Sequence, residues 1–285
     1  MTTLRELSVK IQSVPVLKSV LQAYYERIFS TSGNGMFRGV YGNFQEALRS
    51  APKTKKLGFN HEEFITLYQD RLQRVYSEDY PVLFWLRPIL NEGCRVFDFG
   101  GHRGHHFYAY GKYIEYPEDL LWTVCEVPTV VKAGEELARE RNVTRHLHFT
   151  TKFGAGDGAT IFLAAGSVHY IEAPPLSEAL AGLRAMPNHL ILNKVPLYGG
   201  KPYVTLQNGR VAFHPLHVYN RDEFVNSIEK LGYGLIDEWP VPTRHGRIPF
   251  HPEASFPAYS GLYFQLRRGE SVPDQFEAPG SAANC

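Results

Sequence analysis

Short apolar runs alternate with amphipathic segments through the middle of this chain. Each run has the length and apolar content of a strand. Strands and helices in alternation predict an α/β fold, with a parallel sheet covered by helices on both faces. The runs are CRVFDFG, LLWTVCEV, LHFT, TIFLAAG and HLILNKV, with TVVKAGEELARER as one helical segment between them and YGLIDEW and GLYFQLRR as two later strands.

The first part of the chain has a helical pattern instead. Apolar residues recur at helical spacing between residues 15 and 30 and form one stripe. Asn43 with Glu46, and Asn60 with Glu63, have the spacing of an N-cap followed three residues later by a glutamate. We therefore expect residues 1–90 to be a mostly helical region, whose apolar stripe packs in the core, covers a pocket as a lid or forms a homodimer.

Later signals complete the organisation. Asn208 and Gly209 separate two apolar runs, which predicts a hairpin with a primed turn. Asn220 with Glu223 predicts another capped helix. The main domain is expected over residues 91–268, and residues 269–285, with little apolar content, are expected to form a flexible tail.

Composition argues against several classes of protein. A formal net charge of +1 over 285 residues gives no basic surface for polymeric nucleic acid. No run approaches the ~20 apolar residues of a membrane-spanning helix, and the start lacks the apolar core of a signal peptide. Cys94, Cys125 and Cys285 include no CxxC pair. The sequence thus predicts a cytoplasmic protein without a nucleic-acid or membrane partner.

A glycine-rich turn, FGGHRG, follows the first predicted strand of the sheet. The first strand-to-helix turn of such a sheet approaches a bound cofactor most closely. GxGxxG and the phosphate-binding loop ending in Gly-Lys-Ser/Thr are both absent. Asp98 before Gly100 and Gly104, with Glu126 ending the next strand roughly 20 residues later, suits a ligand with an amino acid and a nucleoside. The pattern favours S-adenosylmethionine, although Glu126 alone would equally suit a surface residue that ends a strand.

Three histidines in this turn offer a competing interpretation as a metal site. His102, His105 and His106 are clustered, and imidazole is a common metal ligand. Their spacing matches none of the common zinc patterns, and no nearby cysteine completes a ligand set. No metal is therefore predicted.

Several motifs together resemble a family of S-adenosylmethionine-dependent methyltransferases that share a DFGG glycine turn and in many cases have no assigned substrate. The resemblance implies the class I methyltransferase fold, a Rossmann-like sheet of seven strands whose last strand is antiparallel. It also implies that Asp98, Gly100, Gly101, Gly104 and Glu126 line the cofactor. The motifs are FRGVYGNFQEAL, VFDFGGHRG, LWTVCEVP, AAGSVHYIE, the stretch from YVTLQNG to YNRDEF, and RIPFHPEASFPAYSGLYF.

Two residues depart from the family pattern on the expected substrate side. His169 stands where glutamine is expected, and Lys194 stands where arginine is expected at the end of the fifth strand. Both put a transfer of substrate in doubt while leaving the cofactor unaffected.

The end of the fourth strand is the expected place of the chemistry. Ser167 is assigned to the cofactor, and His169 and Tyr170 to catalysis. His169 would act as the base or orient the acceptor; a purely structural hydrogen bond is the alternative. The hairpin and the long connection before the last strand are expected to roof the pocket and to contact the acceptor. The predicted substrate residues are Lys194, Gln207, Tyr219, Arg247, His251 and Tyr259.

These expectations combine into a predicted function. The chain would methylate an oxygen or nitrogen of a small molecule, such as a sugar or a natural-product intermediate, using S-adenosylmethionine. A non-catalytic cofactor-binding or scaffolding protein of the same fold is the alternative, because fold alone does not establish activity. A nicotinamide oxidoreductase is disfavoured by the missing GxGxxG.

Overall fold

The computed structural model describes residues 15–267 of the chain. Its helices are α1 (Pro15–Thr31), α2 (Phe44–Ser50), α3 (Glu62–Ile65), α4 (Tyr80–Leu86), α5 (His105–Tyr110), α6 (Pro128–Glu140), α7 (Leu176–Ala181) and α8 (Arg221–Glu229). Its strands are β1 (Phe37–Tyr41), β2 (Lys56–Leu57), β3 (Arg95–Phe99), β4 (Leu121–Cys125), β5 (Leu147–Thr150), β6 (Ile161–Ala165), β7 (His189–Val195), β8 (Leu197–Tyr198), β9 (Tyr203–Asn208), β10 (Ala212–Asn220), β11 (Tyr233–Val241) and β12 (Tyr259–Leu266). The expected tail, residues 269–285 with Cys285, lies outside the described residues, as do residues 1–14.

The larger sheet has seven strands in the order β11-β12-β7-β6-β3-β4-β5. Strands β3 to β7 in this sheet run parallel, whereas β12 is antiparallel to both of its neighbours. All seven strands fall on the apolar runs identified in the sequence. The predicted class I methyltransferase fold, with its last strand antiparallel, is therefore confirmed.

Side chains along each central strand divide between two apolar clusters. In β6, Ile161 and Leu163 belong to one cluster, and Phe162 and Ala164 belong to the other. Successive side chains of a strand point to opposite faces of the sheet, so these clusters are the cores on its two sides. Burial on both faces explains why a central strand such as β6 is apolar throughout.

A second, five-stranded sheet modifies the expectation of a mostly helical N-terminal region. It has the order β1-β9-β10-β2, with β8 also paired to β10. β1 and β2 come from the first 90 residues and attach to the predicted hairpin, β9 and β10. The side-chain amide of Asn208 donates to the carbonyl of Phe29 at 2.6 Å and ties α1 to this hairpin. The strands were missed because their pairing partners lie far away in sequence.

Two of the three predicted N-caps are confirmed. The Oδ1 atoms of Asn43 and Asn220 accept hydrogen bonds from the backbone N–H groups three residues later. Asn60 is different, because its Oδ1 accepts from the backbone and hydroxyl of Thr129 at 3.1 and 3.0 Å. The prediction for Asn60 was wrong: its side chain serves the start of α6, and α3 begins only after His61.

Local details qualify two other expectations. The hairpin exists, but the positive φ in its turn, 75°, belongs to Arg210 and not to the Asn208–Gly209 pair. Cys94 and Cys125 are free and buried, as small apolar residues in a core would be. No helix between residues 15 and 267 is long and apolar enough to cross a membrane.

Candidate functional site

The glycine turn at the end of β3 has a backbone that side chains would obstruct. Gly100 has φ of +76°, and a Cβ there would lie 2.3 Å from the Cβ of Ser167. A Cβ on Gly101 would lie 2.2 Å from Oδ2 of Asp98. Both distances are far below normal contact, so only glycine fits at these two positions.

Asp98 supports this turn through hydrogen bonds within the core. Its carboxylate is fully buried and accepts hydrogen bonds from Nδ1 of His106 at 2.9 Å and from Nε1 of Trp122 at 3.1 Å. The carboxylate therefore fixes the orientation of His106, whose ring lies against the cavity beside the turn. Asp98 itself does not reach that cavity.

Glu126 ends β4 next to the same turn. Its Oε1 accepts from the backbone N–H of His102 at 3.1 Å, and its Oε2 accepts from that of Val127 at 3.0 Å. Burial raises the pKa of Glu126 to about 7, in opposition to these two hydrogen bonds. Its protonation thus changes near neutral pH.

A cavity of about 170 Å³ lies at the carboxyl ends of β3, β6 and β7. Gly100 and Gly101 form part of one wall, together with His102, His105 and His106. This is the edge of the sheet at which α/β proteins of this type bind ligands.

The wall at the glycine turn carries buried polar atoms without a partner. Within residues 15–267, Nδ1 of His102, Nε2 of His105 and the hydroxyl of Tyr110 make no hydrogen bond. Burial lowers the pKa of His102 to about 4 and that of His105 further still, so both rings are neutral at neutral pH. Unpartnered buried polar atoms are costly, and a bound ligand would satisfy them.

Another part of the lining comes from residues at the ends of β6, β9 and β12. The hydroxyl of Tyr170 donates to Oε1 of Gln207 at 2.6 Å, and the ring of Tyr259 stands 6.0 Å from that of His169. Nδ1 of His169 is buried and has no hydrogen-bond partner among the described residues. Burial lowers the pKa of His169 to about 3, which keeps its imidazole neutral.

A buried cluster of charged side chains forms the floor of the cavity. Nζ of Lys194 lies 2.9 Å from Oδ1 of Asp79, and the guanidinium of Arg71 lies 3.2 Å from Oε1 of Glu78. Lys194 has φ of 58°, an uncommon conformation for a residue with a side chain. Such strain, placed at the edge of a cavity, is typical of functional sites.

The structure gathers many of the predicted site residues around the cavity. Those that line it are Gly100, Gly101, His169, Tyr170, Lys194, Gln207 and Tyr259. Others support the turn without lining the cavity: Asp98, Glu126, Gly104, whose backbone begins α5, and Ser167, whose hydroxyl donates to the carbonyl of Phe99 at 2.5 Å.

Three predicted substrate residues lie elsewhere. Tyr219 points its hydroxyl at the carbonyl of Val168, 3.1 Å away, and fills space behind the wall. Arg247 is exposed on the long connection, and His251 pairs on the surface with Glu253 at 3.3 Å. The connection does not roof the pocket with these side chains, because its apolar residues turn inward and join the core.

Several lining residues were not predicted. Phe64, Arg71, Arg74 and Asp79 come from the N-terminal region, and Arg244 follows β11. The ring of Phe64 lies 4.9 Å from that of His102, so this region covers the glycine turn. The charged run in LYQDRLQRVYSED was the only sequence feature that could have indicated these lining residues, but such runs usually form a solvated surface. No group of three or more metal-binding side chains occurs within the described part of the chain.

Searches with protein families and curated proteins gave no match. Among solved structures, the fold resembles Burkholderia thailandensis 1,6-didemethyltoxoflavin-N1-methyltransferase, with 16% identity over 67% of this chain and 79% of the other and a TM-score of 0.46. Magnesium protoporphyrin IX methyltransferase from Synechocystis PCC 6803 has 13% identity over 66% and 81%, with a TM-score of 0.45. The [4+2]-cyclase SpnF has 16% identity over 67% and 82%, with a TM-score of 0.48. At these values the likenesses assign neither a reaction nor a substrate to this chain.

Proposed function

We propose that this chain is an S-adenosylmethionine-dependent methyltransferase that acts on an oxygen or nitrogen of a small molecule. The glycine turn carries the proposal, since Gly100 and Gly101 line a cavity whose neighbouring polar atoms have no partner. Glu126, at the end of the adjacent strand, suits the ribose hydroxyls of a nucleoside.

The residues at the turn fit this cofactor. Glu126 would accept from the ribose once the segment that covers the glycine turn has shifted outward, while the unpartnered nitrogens of His102 and His105 offer hydrogen bonds to polar groups. His106, held by Asp98, presents a fixed imidazole edge beside the turn. S-adenosylmethionine supplies an electrophilic methyl group, whose transfer bonds its carbon to the acceptor atom and leaves the broken C–S electron pair on sulfur.

His169 is suited to handle the acceptor. Its neutral imidazole can accept a hydrogen bond at Nδ1 from an acceptor hydroxyl or amine, and can take the proton that methylation releases. Tyr170 and Tyr259 flank it, and burial raises the pKa of both phenols, so they stay protonated and can only orient the acceptor.

The size of the cavity implies that its cover moves. A volume of about 170 Å³ is below the range of about 300–1,000 Å³ that is common for ligand pockets. The N-terminal segment with Phe64 and Arg71 is the part that covers the glycine turn, so we expect it to shift outward when the cofactor enters.

Calorimetric titration of the protein with S-adenosylmethionine, S-adenosylhomocysteine and NADH tests the proposal. We expect micromolar binding of the first two and none of NADH. A protein that binds neither sulfur compound would refute the proposal. Binding without methyl transfer to any member of a broad acceptor panel would instead support the non-catalytic alternative.

The affinity for S-adenosylhomocysteine should rise with pH because of Glu126. With a pKa of about 7, this carboxyl is mostly protonated at pH 6 and ionised at pH 8. Only the ionised form can accept hydrogen bonds at both oxygens, so we expect about tenfold tighter binding at pH 8 than at pH 6. Titrations across this range check it, and Glu126→Gln should flatten the profile. A wild-type affinity independent of pH would contradict this role.

His169→Ala should lower kcat while sparing the cofactor. Loss of the group that receives the acceptor proton is expected to reduce kcat by about 100-fold or more. Because His169 is not part of the glycine turn, S-adenosylhomocysteine should bind with unchanged affinity. His169→Gln keeps a hydrogen-bonding side chain and should recover part of the orientation. Activity of His169→Ala within a few-fold of wild type would exclude the role of base.

A further inference from the structure

The cationic side chains around the cavity outnumber the acidic ones. Arg71, Arg74, Lys194 and Arg244 line it, against Asp79 alone. Two of the cations are neutralised within the floor, where Lys194 pairs with Asp79 and Arg71 with Glu78. Arg74 is directed outward, where its guanidinium lies 3.6 Å from Asp70 and donates to the hydroxyl of Tyr76.

Arg244 differs from these three. Arg244 is an exposed residue at the border of the cavity, and within residues 15–267 its guanidinium makes no ion pair and no hydrogen bond. Its backbone is fixed, since its carbonyl accepts from the N–H of Tyr259 at 2.9 Å. This contact places Arg244 next to Tyr259, whose ring lies 6.0 Å from that of His169.

A free guanidinium at this position is suited to an anion. Arginine presents a planar set of donors that binds a carboxylate or a phosphate through two parallel hydrogen bonds. A sulfonium cofactor would add a further positive charge to the cavity, which already holds an unpaired Arg244. A negative charge on the second ligand would offset both.

We propose that the methyl acceptor carries an anionic oxygen group, a carboxylate or a phosphate, and that Arg244 binds it. This inference rests on the proposed function and specifies the class of its acceptor. The anionic group would lie at the mouth of the cavity, and the atom to be methylated would lie deeper, beside His169.

The arrangement also couples the acceptor to His169. Burial, and after it the charge of Arg244, holds the pKa of His169 low. A carboxylate or phosphate on Arg244 cancels that charge, so the imidazole becomes a better proton acceptor when an acidic acceptor is in place. A neutral acceptor of the same shape would lack this benefit.

Matched pairs of compounds test the proposal on the full-length protein saturated with S-adenosylhomocysteine. The pairs are 4-hydroxybenzoate with 4-hydroxybenzamide, galacturonate with galactose, and glucose 6-phosphate with glucose. We expect the anionic member of at least one pair to bind at least about tenfold more tightly than the neutral member. A preference in the first two pairs would identify the bound group as a carboxylate, and a preference in the third would identify it as a phosphate. Arg244→Gln should abolish this preference.

Arg247→Gln is the control, because Arg247 is an exposed arginine of the same connection that does not line the cavity. It should keep the preference. Equal binding of anionic and neutral members in wild type, binding of none of them, or a preference that survives in Arg244→Gln would each overturn the proposal. Binding of S-adenosylhomocysteine is measured in a separate titration before the pairs are added, so its absence would refute the proposed function independently of the anion preference. If S-adenosylhomocysteine does not bind, the pairs are compared on the protein without it. The presence or loss of the anion preference in Arg244→Gln then decides whether Arg244 binds the anionic group.

Discussion

Gly100→Ala should lower the free energy of unfolding by about 2–5 kcal/mol and abolish binding of S-adenosylhomocysteine. An alanine at φ of +76° costs about 1–2 kcal/mol. Its Cβ would also meet the side chain of Ser167 at 2.3 Å, and overpacking of this kind costs about 1–3 kcal/mol more. Urea unfolding of the ligand-free protein measures the first effect, and calorimetry measures the second.

Gly93→Ala is a matched control for the backbone alone. Gly93 has φ of +73°, and a Cβ there would meet no atom within 4 Å. It should lose only the conformational cost of about 1–2 kcal/mol and keep normal cofactor binding. If the two variants were equally stable and bound S-adenosylhomocysteine equally well, the close approach of Gly100 to Ser167 would affect neither stability nor cofactor binding.

Asp98→Ala should lower the free energy of unfolding by about 3–5 kcal/mol. The substitution removes a fully buried acceptor and leaves Nδ1 of His106 and Nε1 of Trp122 without a partner. Breaking a buried charged network by deleting one member typically costs this much. Freed from Asp98, His106 would also lose its fixed orientation at the cavity. Denaturant unfolding measures the loss of stability, and calorimetry with S-adenosylhomocysteine measures the effect of the lost orientation on binding.

Asp222→Ala provides the comparison for an exposed aspartate. Asp222 accepts from Arg221 at 2.7 Å, with three quarters of its side chain, 76%, exposed. Exposed ion pairs contribute little, so less than about 1 kcal/mol should be lost. A similarly small loss in Asp98→Ala would mean that His106 and Trp122 find other partners in its absence.

The main sheet could be predicted because the residues that mark each of its strands are close together in the sequence. Each of its central strands is a continuous apolar run, and each is bounded by residues that turn or cap, so its position follows from nearby sequence. The glycine turn was equally readable, since Gly100, Gly101 and Gly104 directly follow the first of these runs. This part of the candidate site follows directly from the fold.

The remaining part depends on contacts between distant segments. β1 is short and carries Arg38 and Gly39 in its centre, so nothing local marks it as a strand until it pairs with β9. Asp79 resembles a surface charge in the sequence, and its burial against Lys194 appears only in the folded chain. Arg244 and Arg247 cannot be distinguished by residue type, and only the pairing beside Tyr259 decides which one borders the cavity.

The second sheet has a consequence for the order in which the chain can fold. Phe37 in β1 pairs with Gln207 in β9, and Lys56 in β2 pairs with Ala212 in β10. During synthesis from the N-terminus, β1 and β2 therefore remain unpaired until the hairpin has been made. Contacts of such long sequence separation slow folding and leave strand edges exposed to other chains in the meantime. The segment that covers the glycine turn, between β2 and α4, would thus be among the last parts of the molecule to reach its place.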